Sequence, residues 1–355
     1  MEHIYLGNSG FRVPKYILGT IPFSGTNGFG PAGNIKEDEA ARHVDICLDA
    51  GINMFDTANL YSKGDAEKVL GAAVKGRRDE VLISSKTGGN INEDPNAYGA
   101  SRHNIENSIH HTLKRLDTDY LDLYFVHLWD GRTPVEETIQ VMNDLVKSGK
   151  IRYWGVSNYS GWALARTYTV AEQNGFIPPV THQIYYTPEA REAEYELLTA
   201  GSELGISNMI WSPLGEGLLT GKIDRNKDAP PDTRQGAGWQ QPWIMSDERL
   251  YEVIDVLKEV AESRNATVPQ ITLAWIKDRP NVGPVVIAVR NEAQLRENIA
   301  SYDIRLTKDE HDIIEAAARP EPFYPNWHRT MTGFEKGSPS EMAYLEAWEK
   351  SMGLE

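Results

Sequence analysis

Four ionisable side chains of different kinds follow three successive short apolar runs. Asp56 and Tyr61 lie in Asp56-Thr57-Ala58-Asn59-Leu60-Tyr61, and Lys86 and His127 come after the next two runs. An acid, a phenol, an amine and an imidazole can move a proton but hold no nucleophile–base pair. A phenol ionises near ~10 and donates poorly at neutral pH unless a neighbour adjusts it. An ammonium beside it lowers that value, and a carboxylate beside the ammonium keeps it charged. A neutral imidazole can hydrogen-bond a substrate oxygen and orient it. Singly, each has a plainer role. Tyr61 can pack, Asp56 can cap a helix, Lys86 can be solvated and His127 can sit satisfied in a core. Their joint occurrence behind successive apolar runs favours chemistry.

Those runs belong to a repeating pattern. Tyr16–Leu18, Asn53–Phe55, Val81–Ser84, Leu121–Val126, Tyr153–Val156, Thr181–Gln183, Ser207–Trp211 and Val285–Val289 read as eight short buried strands. Helical spacing separates them, as in Ile105, Ile109, Leu113 and Leu116, or Val135, Ile139, Met142 and Leu145. Strands joined through helices pair in parallel by right-handed crossovers. Eight units imply a (β/α)8 barrel of the TIM type, although an open doubly wound sheet shows the same alternation. Catalytic groups in a barrel come from the C-terminal strand ends, where the four residues stand. Ile4–Leu6 and Phe11–Val13 read as an N-terminal hairpin able to plug the barrel bottom. Thr307-Lys308-Asp309-Glu310 reads as a capping box opening a last barrel helix. The expected organisation is one barrel over 1–319 and a C-terminal tail over 320–355, packed near the active-site mouth. Leu214–Trp243 is long, polar and rich in Gly, Pro and Trp, as functional loops are.

Composition narrows the partners. The 355 residues carry 36 basic and 51 acidic side chains, a net charge of -15, which repels nucleic acid and anionic membranes. The one cysteine, Cys47, allows no internal disulfide and reads as a small buried hydrophobe. No apolar run approaches the ~18 residues of a spanning helix, and the N-terminus has no basic region before an apolar core. The expectation is a cytoplasmic protein with no metal and no membrane partner, its oligomeric state open.

Further pieces carry a resemblance: Gly51-Ile52-Asn53-Met54-Phe55-Asp56-Thr57-Ala58 with Tyr61; Leu113-Lys114-Arg115-Leu116 with Asp119-Tyr120-Leu121-Asp122-Leu123 and His127; Gly155-Val156-Ser157-Asn158; and Trp211-Ser212-Pro213-Leu214 with Gly221-Lys222. Together they resemble the aldo-keto reductases, from about Leu18 to Arg319. The resemblance implies that Asp56, Tyr61, Lys86 and His127 form a catalytic tetrad. It implies a nicotinamide cofactor laid across the barrel top, in keeping with the absence of a G-x-G-x-x-G motif. Ser157, Asn158 and Gln183 would hold its carboxamide and Trp211 would be its platform. Ser212, Leu214, Gly217 and Lys222 would meet the pyrophosphate. Arg290, Gln294 and Asn298 would take the adenine end, with Gly19 and Thr20 beneath the nicotinamide. Arg290 suits the 2′-phosphate of NADPH. Val286-Ile287-Ala288-Val289-Arg290 departs from the Ile-Pro-Gly of many relatives, which leaves NADH as the alternative.

By this resemblance the protein reduces a small-molecule aldehyde or ketone to an alcohol, with Tyr61 as the general acid. Pocket walls would come from Ile21, Phe23, Trp129, Asp130, Trp239, Trp243 and Trp327, with Phe323, Tyr324 and His328 nearby. Broad aromatic faces with polar neighbours suit a keto-sugar or hydroxylated ring ketone. The alternative is a cofactor-binding regulatory subunit resembling potassium-channel β-subunits, with slow turnover.

Overall fold

A computed structural model describes residues 1–225 and 227–354. A short antiparallel hairpin opens the chain, β1 (His3–Tyr5) with β2 (Arg12–Pro14), in the register Ile4 opposite Val13. Eight strands follow: β3 (Tyr16–Gly19), β4 (Met54–Asp56), β5 (Leu82–Thr87), β6 (Leu121–Val126), β7 (Ile151–Ser157), β8 (Thr181–Tyr185), β9 (Ser207–Trp211) and β10 (Val282–Ile287). All neighbours pair in parallel, and β10 returns to β3 through Val285 opposite Tyr16, which closes the barrel. The open-sheet alternative is thereby excluded.

Helices cover the outside: α1 (Glu37–Asp49), α2 (Asp65–Ala73), α3 (Arg102–Leu116), α4 (Val135–Lys147), α5 (Gly161–Gln173), α6 (Leu197–Glu203), α7 (Asp247–Ser263), α8 (Val268–Lys277) and α9 (Glu292–Ala300). Then come α10 (Lys308–Ala317) and the tail helices α11 (Asn326–Gly333) and α12 (Pro339–Ser351). The periodic positions explain their placement. Val135, Ile139, Met142 and Leu145 of α4 are all buried, as are Val253, Ile254, Leu257 and Val260 of α7. Thr307 and Glu310 form the expected capping box of α10, and Thr267 with Gln270 forms another at α8. Cys47 is buried in α1, where burial pushes its thiol up to about 12.

Alternation along each strand sorts side chains into two cores. Ile17, Met54, Leu123, Phe125, Met209 and Val286 fill the barrel interior, joined from below by Leu6 and Val13 of the hairpin. The hairpin is therefore the plug at the lower end. Between strands and helices lies the larger core, which includes Leu18, Phe55, Tyr124, Val126 and Ile287. No helix among the described residues is long and apolar enough to cross a membrane.

The tail lies along one flank. Ser338 donates to Glu203 at the end of α6, Asn281 donates to the Ser340 carbonyl, and Tyr344 donates to the Pro280 carbonyl. Asn281 and Pro280 lead into β10, so these tail contacts lie toward the lower rim. Nearer the tail's start, Phe323 packs edge-on against Tyr195, centroids 4.1 Å apart.

Candidate active site

Strand register brings the four ionisable residues to one rim. Gly19, Asp56 and Ser84 stand in one layer across β3, β4 and β5. Lys86 lies two residues beyond Ser84 and so faces the same way. His127 follows Val126, which pairs with Thr87 of β5. Tyr61 is delivered by a sharp turn after β4, in which Ser62, Lys63 and Gly64 all have positive φ (49°, 52° and 92°).

Lys86 is fully buried and uses all three N–H groups. Its Nζ donates to Asp56 Oδ2 at 2.5 Å, to the Thr57 carbonyl at 2.8 Å and to Tyr61 OH at 3.2 Å. Burial alone would lower its pKa. Asp56 and Tyr61 reverse that and hold its pKa above the ordinary lysine value. Asp56 also accepts from Ser84 Oγ at 2.7 Å and from Gln183 Nε2 at 3.3 Å. This buried carboxylate therefore has a partner on each side.

Tyr61 differs in sign from the sequence expectation. Its phenol stands above the ordinary value, because burial and Asp56 together outweigh the downward pull of Lys86. Lys86 moderates the rise rather than producing a net fall. The phenol keeps its proton at neutral pH while its oxygen accepts from the Lys86 ammonium, the arrangement of a general acid. His127 lies edge-on to Tyr61 with ring centroids 6.1 Å apart. Burial, then Lys86, lower its pKa to about 3, so the imidazole is neutral. Its Nδ1 is buried with no partner among the described residues.

The expected cofactor residues form a second connected group. Ser157 Oγ donates to the Gln183 carbonyl at 2.9 Å, and Asn158 Nδ2 donates to the His127 carbonyl at 3.0 Å. Trp211 Nε1 donates to Asn158 Oδ1 at 3.1 Å. Thr20 donates to the Asp56 carbonyl at 3.1 Å, and a side chain at Gly19 would strike Val286 at 2.8 Å. In the loop after β9, Ser212 donates to Glu216 Oε1 at 2.6 Å, Gly217 has φ 106°, and Lys222 pairs with Asp232 at 3.4 Å. Leu214 is half-buried there. Arg290 donates to the carbonyls of Asp232 and Pro31. Gln294 accepts from the Arg290 backbone N–H at 2.9 Å, and Asn298 is buried on α9.

The expected pocket walls divide. Trp239 is linked to the tetrad through Phe29, whose ring neighbours both Trp239 and Tyr61. Ile21 is half-buried after β3, whereas Phe23 is buried in the outer core. Trp129 packs edge-on to Tyr159 and Trp162, at 5.1 and 5.3 Å. Asp130 uses its oxygens on Ala100 N, Arg132 N and the Thr133 hydroxyl, so it organises its own loop. Trp243 and Trp327 are not brought to the tetrad. Trp243 is 84% exposed, and the ring neighbours of Trp327 are Tyr324 and His328 in the tail.

Three further residues lie here that sequence reasoning missed. Tyr185 packs its ring on Trp211 at 4.9 Å. Arg234 forms an ion pair with buried Glu216, while burial and Arg290 lower its pKa to about 10. Phe29 lies 6.3 Å from Tyr61, centroid to centroid. Phe29 and Arg234 come from irregular loops without periodicity, so spacing gave no signal for them. Tyr185 lies two residues past the strand read from the sequence as Thr181–Gln183.

The residues fit a nicotinamide dinucleotide. Arg290 has no ion pair among the described residues and lies close enough to Arg234 to depress it, although the chain as a whole is acidic. Of these two neighbouring guanidinium groups only Arg234 has a carboxylate partner, Glu216, which leaves positive charge for a phosphate to meet.

Comparison with known proteins identifies the family of the chain. The model of the Aldo/keto reductase family matches residues 17–319. Proteins named "Probable voltage-gated potassium channel subunit beta" from Oryza sativa subsp. japonica and Arabidopsis thaliana are 34% and 33% identical, over 91% and 93% of this chain and 98% and 100% of their own. "Uncharacterized oxidoreductase YrpG" from Bacillus subtilis (strain 168) is 35% identical, over 87% of this chain and 93% of its own.

Proposed function

This chain belongs to the aldo/keto reductase family and is an NAD(P)H-dependent oxidoreductase; on that premise we propose that it reduces a ring ketone or an aldehyde with NADPH, with Tyr61 as the proton donor. The observation that carries the reading is the contact of Lys86 Nζ with both Tyr61 OH and Asp56 Oδ2. A reduced nicotinamide, when bound, supplies the hydride, and the chain supplies orientation and the proton. Ser157, Asn158 and Gln183 would hold its carboxamide, Trp211 would back its ring, and Ser212, Leu214, Gly217 and Lys222 would meet its pyrophosphate. Arg290, with Gln294 and Asn298, would take the adenine end, where its guanidinium would favour the 2′-phosphate. Neutral His127 directs the carbonyl oxygen toward Tyr61, which releases its proton to the forming alkoxide while Lys86 stabilises the phenolate left behind.

A carbonyl panel run with NADPH and with NADH tests this, beside Tyr61→Phe and Arg290→Ala. Tyr61→Phe should lose about 10²–10⁴-fold in kcat and still bind NADPH. Wild-type turnover in that variant would refute the acid assignment. Arg290→Ala should weaken NADPH and leave NADH nearly unchanged, and equal loss for both would remove the phosphate assignment. The names of the two plant relatives favour one second reading, a cofactor-binding subunit of a larger assembly. Tight NADPH binding with negligible turnover across the panel would select it.

A further inference from the structure

The acid side of the site is bounded by rings that arrive on separate loops. Phe29 lies 6.3 Å from Tyr61 and 6.1 Å from Trp239. Each ring is fixed by contacts that need no substrate. Asn27 Nδ2 donates to the Ser62 carbonyl at 2.9 Å, and the Thr26 hydroxyl donates to Asp65 at 2.8 Å, which ties the Phe29 loop to the turn that carries Tyr61. On the other side of Phe29, Arg290 holds the Pro31 carbonyl. Trp239 donates its backbone N–H to the Arg234 carbonyl at 2.9 Å, and the Arg234 guanidinium lies 5.8 Å from its ring centre. Arg234 is anchored in turn by Glu216, whose Oε1 accepts from Ser212.

One buried side-chain donor in this frame is left over among the described residues. Trp239 Nε1 is buried and has no acceptor among the described residues. An indole N–H can only donate. A buried donor without an acceptor is costly, and native proteins keep one where a ligand or a water completes it. Phe29 neighbours both the acid and this indole, and so links the proton donor to the unpaired N–H.

The geometry points to Phe29 and Trp239 as the specificity-determining pair of this reductase, an inference that rests on the reading of Tyr61 as proton donor. Phe29 covers the C–H face of a ring ketone seated against Tyr61, and Trp239 Nε1–H donates to a hydroxyl oxygen on that same ring. The substrate class is thus a cyclic ketone carrying at least one ring hydroxyl. Its carbocyclic parent leaves the indole N–H unpaired and is turned over less well. Straight-chain aldehydes present neither a ring face nor the ring oxygen.

The test compares cyclohexanone with the best of 2-, 3- and 4-hydroxycyclohexanone, using NADPH and the intact protein. Wild type should favour the hydroxylated ketone by about 10–100-fold in kcat/KM. Trp239→Phe keeps an aromatic ring and removes the N–H, and should bring that ratio close to unity. A merely structural role for Trp239 would lower both substrates together and preserve the ratio, which would overturn the inference. Phe29→Leu should raise KM for both ring ketones with a smaller change in kcat, and an unchanged KM would remove Phe29 from the pair. Brisk reduction of 4-nitrobenzaldehyde with no hydroxyl preference among the ring ketones would overturn the inference and leave the reductase reading standing. No turnover of any carbonyl would end both.

Discussion

Lys86 is a buried ammonium shared between one carboxylate and one phenol, and that sharing sets the behaviour of the whole site. Lys86→Met leaves Asp56 buried with only Ser84 and Gln183 as side-chain donors. Breaking a buried pair from one side costs about 3–5 kcal/mol, so the variant should unfold at clearly lower urea concentration and lack activity. Adding Asp56→Asn removes the stranded charge, and the double variant should regain much of the stability and none of the activity. If the double variant were no more stable than the single, the carboxylate would not be the group that suffers. The proton balance has a readable sign as well. Tyr61 is raised above its ordinary value and His127 is lowered to about 3, so neither changes state near neutrality. The rate of reduction should be flat from about pH 6 to 9 and fall only where the phenol ionises, above its usual ~10. A pH profile of kcat with an apparent value near 7 would contradict this. The four ionisable residues were legible because each follows an apolar run. The sign of the Tyr61 shift was not, because it depends on how deeply the ring is buried. Asp130 shows the same limit, since its acidity suggested a ligand contact and its loop takes up its oxygens.

The turn from Tyr61 into α2 matters more than its length suggests. Three consecutive positive φ values aim Tyr61 at Lys86, and only Gly64 adopts such a value without steric cost. A side chain there would meet Arg115 Nε at 2.6 Å, and Arg115 is held by buried Glu67 at 2.5 Å, so it cannot easily yield. Gly64→Ala should therefore cost about 1–3 kcal/mol and lower kcat, because the displaced turn carries Tyr61. A urea midpoint equal to wild type would show that the turn relaxes freely. Strands and barrel helices were readable since burial on one face imposes a period. The loops that carry Phe29 and Arg234 have no period, and their placement depends on contacts such as Arg290 with Pro31 that join residues 259 positions apart. The tail helices were half legible: α12 shows as a final helical stretch, but its seat on α6 rests on contacts such as Ser338 with Glu203.

At the scale of the molecule, alternation of strands and helices left two architectures open, and the pairing of β10 with β3 decides between them. That seam depends on surfaces remote in sequence, and the helices outside it are held by an ion network that no motif announces. Arg191 is fully buried and donates to Glu194 and to Glu315 of α10, which lies 124 residues away. Arg279, at the end of α8, donates to the same two carboxylates. Two guanidinium groups and two carboxylates thus join the turn before α6 to α8 and α10. Losing one member leaves a buried charge uncompensated, whereas losing one side of a solvated pair leaves a charge that water can take. Arg191→Met should consequently cost about 3–5 kcal/mol, with the urea midpoint falling at unchanged slope if the molecule still unfolds as one unit. Arg42→Ala, which breaks an exposed pair with Glu292 on the opposite flank of the sequence, should cost less than about 1 kcal/mol. A change of slope in Arg191→Met would carry a different meaning, because it would show α10 and the tail separating before the barrel opens. Equal, small losses in the two variants would mean that the network is not what holds the outer helices to the cylinder.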